Sequence, residues 1–97
     1  MMEAQITIRE KVYKVKYGLK TLFKYEELEG HPFDYKKMED SYRLLYAALI
    51  AHNPDYSQTY DEFLEACDED PSIFEQFVKL TEESAKRSVK KKSPANQ

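Results

Sequence analysis

The thiol of Cys67 and the imidazoles of His31 and His52 are the first candidates in this sequence for nucleophilic catalysis or metal binding. A reactive thiol needs a nearby base or positive charge that lowers its pKa. The carboxylates around Cys67 would raise its pKa instead; they belong to Glu65, Asp68 and Glu69. The two histidines stand far apart, and neither has a second ligand at His-x-x-x-His spacing. The sequence therefore predicts a structural cysteine, no catalytic residue, no metal or other cofactor, and a protein that is not an enzyme.

An acidic segment surrounds Cys67: positions 61–70 hold six acidic residues and no basic one, namely Asp61, Glu62, Glu65, Asp68, Glu69 and Asp70. A calcium-binding loop would need a central glycine and alternating oxygen ligands, and this run has neither. The spacing is typical of a solvated helix face. The alternative interpretation is an acidic docking surface for a basic partner segment, with Asp61, Glu62 and Glu65 as candidate contacts.

The C-terminal region is basic, with Lys86, Arg87, Lys90, Lys91 and Lys92. Such a cluster either contacts phosphate or an acidic protein, or it keeps the end of a helix solvated and complements its dipole. The net charge of −3 argues against a general nucleic-acid binder. A small nucleic-acid-associated or regulatory protein that uses this basic helix is the alternative function that the residues suggest.

Tyrosine is unusually frequent, with eight residues and no tryptophan. Four aromatic residues fall in or beside the loops between the expected helices: Phe33, Tyr35, Tyr56 and Tyr60. Aromatic side chains in loops are typical of protein-binding patches, and they equally serve to pin a loop to the core. Both interpretations stay open at this point.

The first element expected to position these residues is a hairpin. Apolar and polar residues alternate between Ile6 and Tyr17, which is the pattern of half-buried strands. A turn at Glu10-Lys11 would pair Ile8 with Tyr13 and Ile6 with Val15, which places all four on one face. We expect the first and second helices to cover that face.

Four helices are predicted after the hairpin, at about 19–29, from 37 to the Asn53-Pro54 turn, at 60–69, and from Asp70-Pro71 onward. Gly30 suits the left-handed position after the first helix, and Thr59 with Glu62 forms a capping box for the third. The expected apolar stripes are Leu19, Leu22 and Phe23; Met38, Tyr42, Leu45, Tyr46, Leu49 and Ile50; Phe63, Leu64 and Cys67; and Ile73, Phe74, Phe77, Val78 and Thr81.

The 97 residues therefore predict an α+β protein with one domain over residues 1–89 and a disordered basic tail over residues 90–97. No apolar run approaches the ~18 residues of a membrane span, and the N-terminus lacks the pattern of a secretory signal. A single cysteine fits a reducing cytoplasm. The residues leave open whether the chain forms a dimer or a ring.

The block from Ile6 to Phe33 resembles the opening of the tail assembly chaperone families of siphophages and related prophages. In those families a hairpin of the form ItI-x-gK-x-Y-x-vkf precedes a helix with the pattern L-x-x-fEkltGk-x-F. The matching stretches here are Ile6-Thr7-Ile8, Lys11 to Tyr17, Leu22 to Phe33, Leu44 to Leu49, Asn53-Pro54-Asp55 and Thr59 to Phe63. The resemblance covers residues 5–80, and it departs from the pattern at Arg9-Glu10 and at Glu29.

The resemblance implies a non-enzymatic chaperone that binds the helical tape measure protein and keeps it soluble until the tail tube polymerises. Such proteins act in the host bacterial cytoplasm and are absent from the finished virion; other tail proteins are further candidate partners, whereas no small-molecule substrate is implied. The loop aromatics would then contact the partner, with the acidic helix and the basic tail setting the register. Many members are made in two lengths by ribosomal frameshifting, and Lys90-Lys91-Lys92 is compatible with a slippery codon run.

Overall fold

A two-stranded antiparallel hairpin followed by four helices makes this an α+β protein. The computed structural model describes the backbone of residues 2–95 and the side chains of residues 3–83. The strands are β1 (Met2–Ile8) and β2 (Lys11–Tyr17). The helices are α1 (Leu19–Glu29), α2 (Met38–His52), α3 (Tyr60–Glu69) and α4 (Ser72–Ala95).

The hairpin register differs from the predicted one. Ile6 lies opposite Tyr13 and Ile8 opposite Lys11, so the two turn residues are Arg9 and Glu10 rather than Glu10 and Lys11. Both turn residues have positive φ, 49° and 72°, which is the backbone of the tight turn that matches strand twist. A turn without glycine or asparagine gives little signal in the sequence. The same side chains still face inward as predicted. The register differs by two residues, and side chains along a strand alternate faces with a period of two.

Helix boundaries agree with the capping signals of the sequence. Gly30 adopts the left-handed conformation, with φ 84°, and its N–H donates to the carbonyl of Glu26 at 2.8 Å. The capping box of α3 is confirmed, because Glu62 N–H donates to Thr59 Oγ1 at 3.1 Å and Thr59 N–H donates to Glu62 Oε1 at 2.8 Å. Asp70 then caps α4 through the N–H of Ser72.

The start of α2 is held by a cap that the sequence analysis missed. The Asp40 carboxylate accepts hydrogen bonds from the backbone N–H groups of Lys36 and Lys37, at 2.8 and 3.0 Å. These bonds lower the pKa of Asp40, because they favour its charged form. The cap ties the connection between α1 and α2 to the first turn of α2.

The core lies between the inner face of the hairpin and the helices, and α4 packs on β1 while α2 packs on β2. The expectation that α1 would share in covering the hairpin is therefore largely wrong, since α1 packs mainly on α2. The largest fully buried side chains are Tyr25, Phe63, Phe77, Ile6, Leu45, Leu49, Ile73 and Val15, together with the polar Thr21.

Two predicted stripes are wrong in part. The buried residues of α1 are Thr21 and Tyr25, whereas Leu19 and Phe23 are exposed. In α2, Met38 is also exposed, and the buried face includes Leu44, Ala47 and Ala48. The predicted domain limit at residue 89 and the disordered tail over 90–97 fall beyond the described side chains, and both stay predictions. Among the described residues, no helix combines the length and apolarity that a membrane crossing requires.

Candidate partner-binding surfaces

Tyr56 is part of the core and not of an exposed patch, contrary to the surface role considered for it. Its side chain is only 6% exposed, and its ring meets the Tyr13 ring edge-on at 5.0 Å between centroids. Burial raises the pKa of its hydroxyl above the ordinary value for tyrosine. Tyr56 therefore pins the loop between α2 and α3 to the hairpin, which was the other interpretation of loop aromatics.

Tyr60 is half-buried in a polar network that joins three helices. The Arg43 guanidinium lies 4.5 Å from the centre of the Tyr60 ring and bonds the carboxylates of Glu29 and Glu39 at 3.1 and 3.0 Å. The Tyr60 hydroxyl donates to Glu39 at 3.3 Å. The arginine is thus neutralised by two acids, and one face of Tyr60 is covered, so this residue contributes its rim and not its full ring to the surface.

Phe33 and Tyr35 both lie in the connection between α1 and α2, but they differ in exposure. Phe33 is half-buried and packs edge-on against Tyr25, with 5.1 Å between ring centroids. Tyr35 is 61% exposed and is free to contact a partner. The four candidate aromatics therefore do not form one surface: Tyr35 is exposed, two are half-buried, and Tyr56 is internal.

An open cleft of about 770 Å³ lies between this connection and the facing ends of α1 and α2. Its walls carry both signs of charge, from Asp34, Lys37 and Arg43 among others, and it includes His31, whose Nδ1–H donates to the carbonyl of Pro32 at 2.9 Å. The charges on the walls pair largely with one another. The cleft therefore does not single out a small-molecule ligand.

The outer face of α1 carries the apolar side chains that sequence analysis placed in the core. Leu19 and Phe23 stand one helical turn apart and are 60% and 62% exposed. Among the residues whose side chains are described, the other large exposed apolar side chains besides Tyr35 are those of Met38, Leu28 and Val12. The buried face of α1 is instead marked by Thr21 and Tyr25, which lie one turn apart on the side opposite Leu19 and Phe23. A search for purely apolar stripes does not find this face, because both residues carry a hydroxyl group.

The candidate acidic contacts Asp61, Glu62 and Glu65 all lie exposed on the outer side of α3. Glu62 is engaged in the capping box, and farther along the run Glu69 pairs with Arg9 of the hairpin turn at 3.2 Å. The face is thus solvated and partly used for local structure. The candidate basic residues Lys86, Arg87, Lys90, Lys91 and Lys92 lie beyond the described side chains, and their role stays a prediction.

Cys67 is buried, and burial together with Asp68 and Asp70 raises the pKa of its thiol to about 11. A thiol in this environment is protonated at neutral pH and is a poor nucleophile. Within the described part of the chain, no three potential metal ligands cluster together.

His52 is used in structure. Thr21 is fully buried and its hydroxyl donates to the carbonyl of Lys16, so the hydroxyl oxygen accepts from His52 Nε2 at 3.2 Å. Burial, followed by the charges of Lys20 and Lys16, lowers the pKa of His52. The histidine thereby helps to fasten α1 and the end of α2 to β2.

Side chains bond the outer edge of β2 at Lys14 and at the carbonyl of Lys16. Asn53 Oδ1 accepts from the backbone N–H of Lys14 at 3.1 Å, and Asn53 Nδ2 donates to the carbonyl of Lys14 at 2.7 Å. The asparagine thus bonds the strand as a neighbouring strand would. Thr21 occupies the next outward carbonyl, that of Lys16.

Comparison of the chain with models of protein families, with curated proteins and with solved structures finds no match.

Proposed function

We propose that this protein is a non-enzymatic phage or prophage tail assembly chaperone, which binds the tape measure protein and keeps it soluble in the bacterial cytoplasm. The proposal rests on the resemblance of residues 5–80 to that family. The observation that supports it best is the exposed apolar pair Leu19 and Phe23, which lies inside the resembling block.

The pair suits recognition of a helical partner. Side chains one turn apart on a helix form a short apolar ridge, and an amphipathic helix of a partner presents a complementary stripe. Exposed charged residues of both signs, Lys20 and Glu27, lie along one side of the ridge, and Glu27 pairs with Lys24 at 2.6 Å. Such a border resembles the polar rim of a protein interface. Tyr35 is a further exposed aromatic contact on the following connection.

Co-expression with a tape measure protein from the same phage or prophage tests the proposal. The two proteins are purified through a tag on one of them and analysed by size exclusion. The expected result is a soluble stoichiometric complex, with the partner insoluble when it is expressed alone. A partner that stays soluble and uncomplexed would overturn the proposal.

A variant with Leu19→Ser and Phe23→Ser tests which surface is used. Each exposed anchor contributes on the order of 1 kcal/mol to such an interface, so the double variant should weaken binding by at least about tenfold. Its thermal stability should change little, because both side chains are mostly exposed already. Val12→Ser is the matched control, since Val12 is 56% exposed but lies on the hairpin. Equal loss of binding in both variants would place the contact elsewhere.

Salt dependence separates this function from the nucleic-acid alternative. Five phosphate contacts by the basic C-terminal residues would give a log–log slope of affinity against salt near about −4 on duplex DNA. Binding through apolar side chains changes little with salt. A steep slope on DNA, together with no complex with the helical protein, would favour the alternative.

A further inference from the structure

The charges of α1 are arranged against the dipole of the helix. Lys20 and Lys24 lie in its first half, whereas Glu26, Glu27 and Glu29 lie in its second half. The N-terminus of a helix favours negative side chains and the C-terminus favours positive ones. The first turn of α1 nevertheless holds no acidic residue, and its last turn holds no basic one. This arrangement therefore does not stabilise α1 by itself.

Ion pairs within the chain account for only part of the arrangement. Glu29 bonds Arg43 of α2 at 3.1 Å, and one carboxylate oxygen of Glu27 bonds Lys24 at 2.6 Å. The Glu27 side chain is still 67% exposed. Lys20 is also exposed and forms no ion pair with any other residue whose side chain is described. Lys20 and Glu27 can thus both bond a charge on another molecule.

These two charges lie on the same side of the apolar ridge of Leu19 and Phe23. Helical geometry places Lys20 and Glu27 within about 20° of each other around the axis and about 10 Å apart along it. Phe23 lies close to the midpoint of this distance. The ridge is therefore bordered on one flank by a positive charge near its start and a negative charge near its end.

We infer that α1 packs antiparallel on α1 of a second copy, across a twofold axis that passes near Phe23. The axis brings the two Phe23 rings together, so that each ridge covers the other. It also sets each Lys20 beside Glu27 of the other copy, on the same flank and at nearly the same height, which gives two ion pairs. A parallel arrangement would bring the two basic ends together and the two acidic ends together.

The antiparallel pair also gives each charge a favourable helix end. Lys20 lies beside the last turn of the second α1, where a positive charge is stabilised, and Glu27 lies beside its first turn, where a negative charge is stabilised. The charges that are unfavourably placed for one α1 are thus favourably placed for two. This complementarity is what identifies a second copy as the partner of the ridge.

The position of α1 in the fold leaves room for this contact. α1 is an outer layer that packs mainly on α2 and to a lesser extent on β2. Its buried residues, Thr21 and Tyr25, lie on the side opposite Leu19 and Phe23, so the rest of the chain lies behind α1 as seen from the ridge. Two helices of 11 residues bury less than about 1,200 Å², which is typical of weak association, so we expect a dissociation constant on the order of 100 μM.

The dimer covers the surface that the proposed function assigns to the tape measure protein. Competition between that partner and the second copy therefore rests on the proposed function, whereas the dimer itself does not. If both hold, a helix of the partner replaces one α1, and the ridge is covered in the free protein as well as in the complex.

Sedimentation equilibrium on the isolated chain tests the dimer without any tail protein. The expected result is a concentration-dependent species of twice the 11.5 kDa chain mass. A chain that stays monomeric to about 1 mM would overturn the inference and leave the proposed function standing. A dimer that forms while no complex with the tape measure protein does would overturn the proposed function alone.

Charge reversal makes the test specific for the antiparallel pair. Lys20→Glu and Glu27→Lys each replace both ion pairs by like-charge contacts, so each should weaken dimerisation about tenfold. The variant with both substitutions restores opposite charges across the axis and should recover most of the affinity. Lys20→Glu places an acid in the first turn of α1, which favours the helix, so its Tm should not fall.

Glu65→Lys is the matched control for the change in net charge, because Glu65 is exposed on α3, and it should leave the dimer unchanged. A double variant that dimerises as weakly as the single variants would overturn the inference. So would single variants that dimerise as the natural chain does.

Cysteine crosslinking locates the axis. Phe23→Cys places the two new thiols at the axis, where they can form a disulfide, whereas Leu19→Cys places them about 12 Å apart along the helices, which is too far. Oxidation should therefore give a covalent dimer from Phe23→Cys and little from Leu19→Cys. The natural chain is the control for the buried Cys67 and should give none. Equal yields from positions 23 and 19 would overturn the inference.

Discussion

The two edges of the hairpin, equal in length and joined by one turn, are treated in opposite ways by the rest of the chain. The edge of β2, called the closed edge below, is bonded at Lys14 by Asn53 and at the carbonyl of Lys16 by Thr21, which come from the end of α2 and the start of α1. The edge of β1 has no bonded partner among residues 3–83. A two-stranded sheet is marginal on its own, so each edge needs a partner, a protecting charge or a cover. Within residues 3–83, side-chain hydrogen bonds from the helical part of the chain therefore support the edge of β2 and not that of β1.

The largest effect should come from Asn53→Ala on the closed edge. The substitution removes the two bonds to Lys14 and a third to the carbonyl of Leu49. We expect the free energy of unfolding to fall by about 2 kcal/mol, as measured by urea denaturation of the dilute chain. Gln5→Ala at the middle of the open edge is the comparison and should change it by less than about 0.5 kcal/mol. Equal effects at the two positions would remove the distinction between the edges.

Thr21→Val should have the next largest effect, because it keeps the side-chain shape and removes the hydroxyl. The variant leaves the carbonyl of Lys16 and the Nε2 of His52 without their bond. We expect a loss of about 1 to 1.5 kcal/mol in urea denaturation. Thr7→Val on the exposed outer face of β1 is the control and should be nearly neutral. A neutral Thr21→Val would mean that β2 is closed by Asn53 alone.

The features that sequence alone predicted well are those decided within a few residues. The capping box of Thr59 and Glu62 and the left-handed Gly30 each depend on side chains or backbone within one turn. The inward face of the hairpin was also predicted, since alternation is local. The turn position was not, because Arg9 and Glu10 lack the turn preference of glycine, and Arg9 reaches Glu69 sixty residues away.

The surfaces were harder to predict, because they depend on what packs against each helix. Thr21 is buried through bonds to Lys16 and to the distant His52, and its burial turns Phe23 outward. Tyr56 stands in a loop, yet Tyr13 and Tyr46 enclose its ring. Composition gave no means of separating such a tyrosine from an exposed one such as Tyr35.

Glu10→Gly tests the turn that joins the two strands. The position of this turn fixes which backbone groups face each edge. Glu10 has φ 72°, a conformation that costs a residue with a Cβ about 1 kcal/mol and glycine nothing. We expect the free energy of unfolding to rise by about 0.5 kcal/mol, the gain being reduced by the greater entropy of the unfolded chain. Glu10→Ala keeps the Cβ and should be neutral. A destabilised Glu10→Gly variant would place the turn, and hence both edges, in another register.

The smallest effect concerns pH and acts on the closed edge alone. The pKa of His52 is lowered in the folded protein by burial and by Lys20 and Lys16, whereas in the unfolded chain it is near its ordinary 6.5. The unfolded state therefore binds a proton more readily, so His52 contributes its full stability above about pH 6.5 and loses it as the pH falls below that value. Between pH 7.5 and 5.5 we expect a small drop in Tm for the natural chain and a flatter profile for His52→Gln.

Asp40 and Asp55, the carboxyl groups with lowered pKa, titrate below this pH range, so they do not obscure the effect of His52 on Tm. Two superimposable profiles would show that His52 is not a functional part of the closed edge and that Asn53 and the Thr21 hydroxyl close it without a charge-sensitive partner.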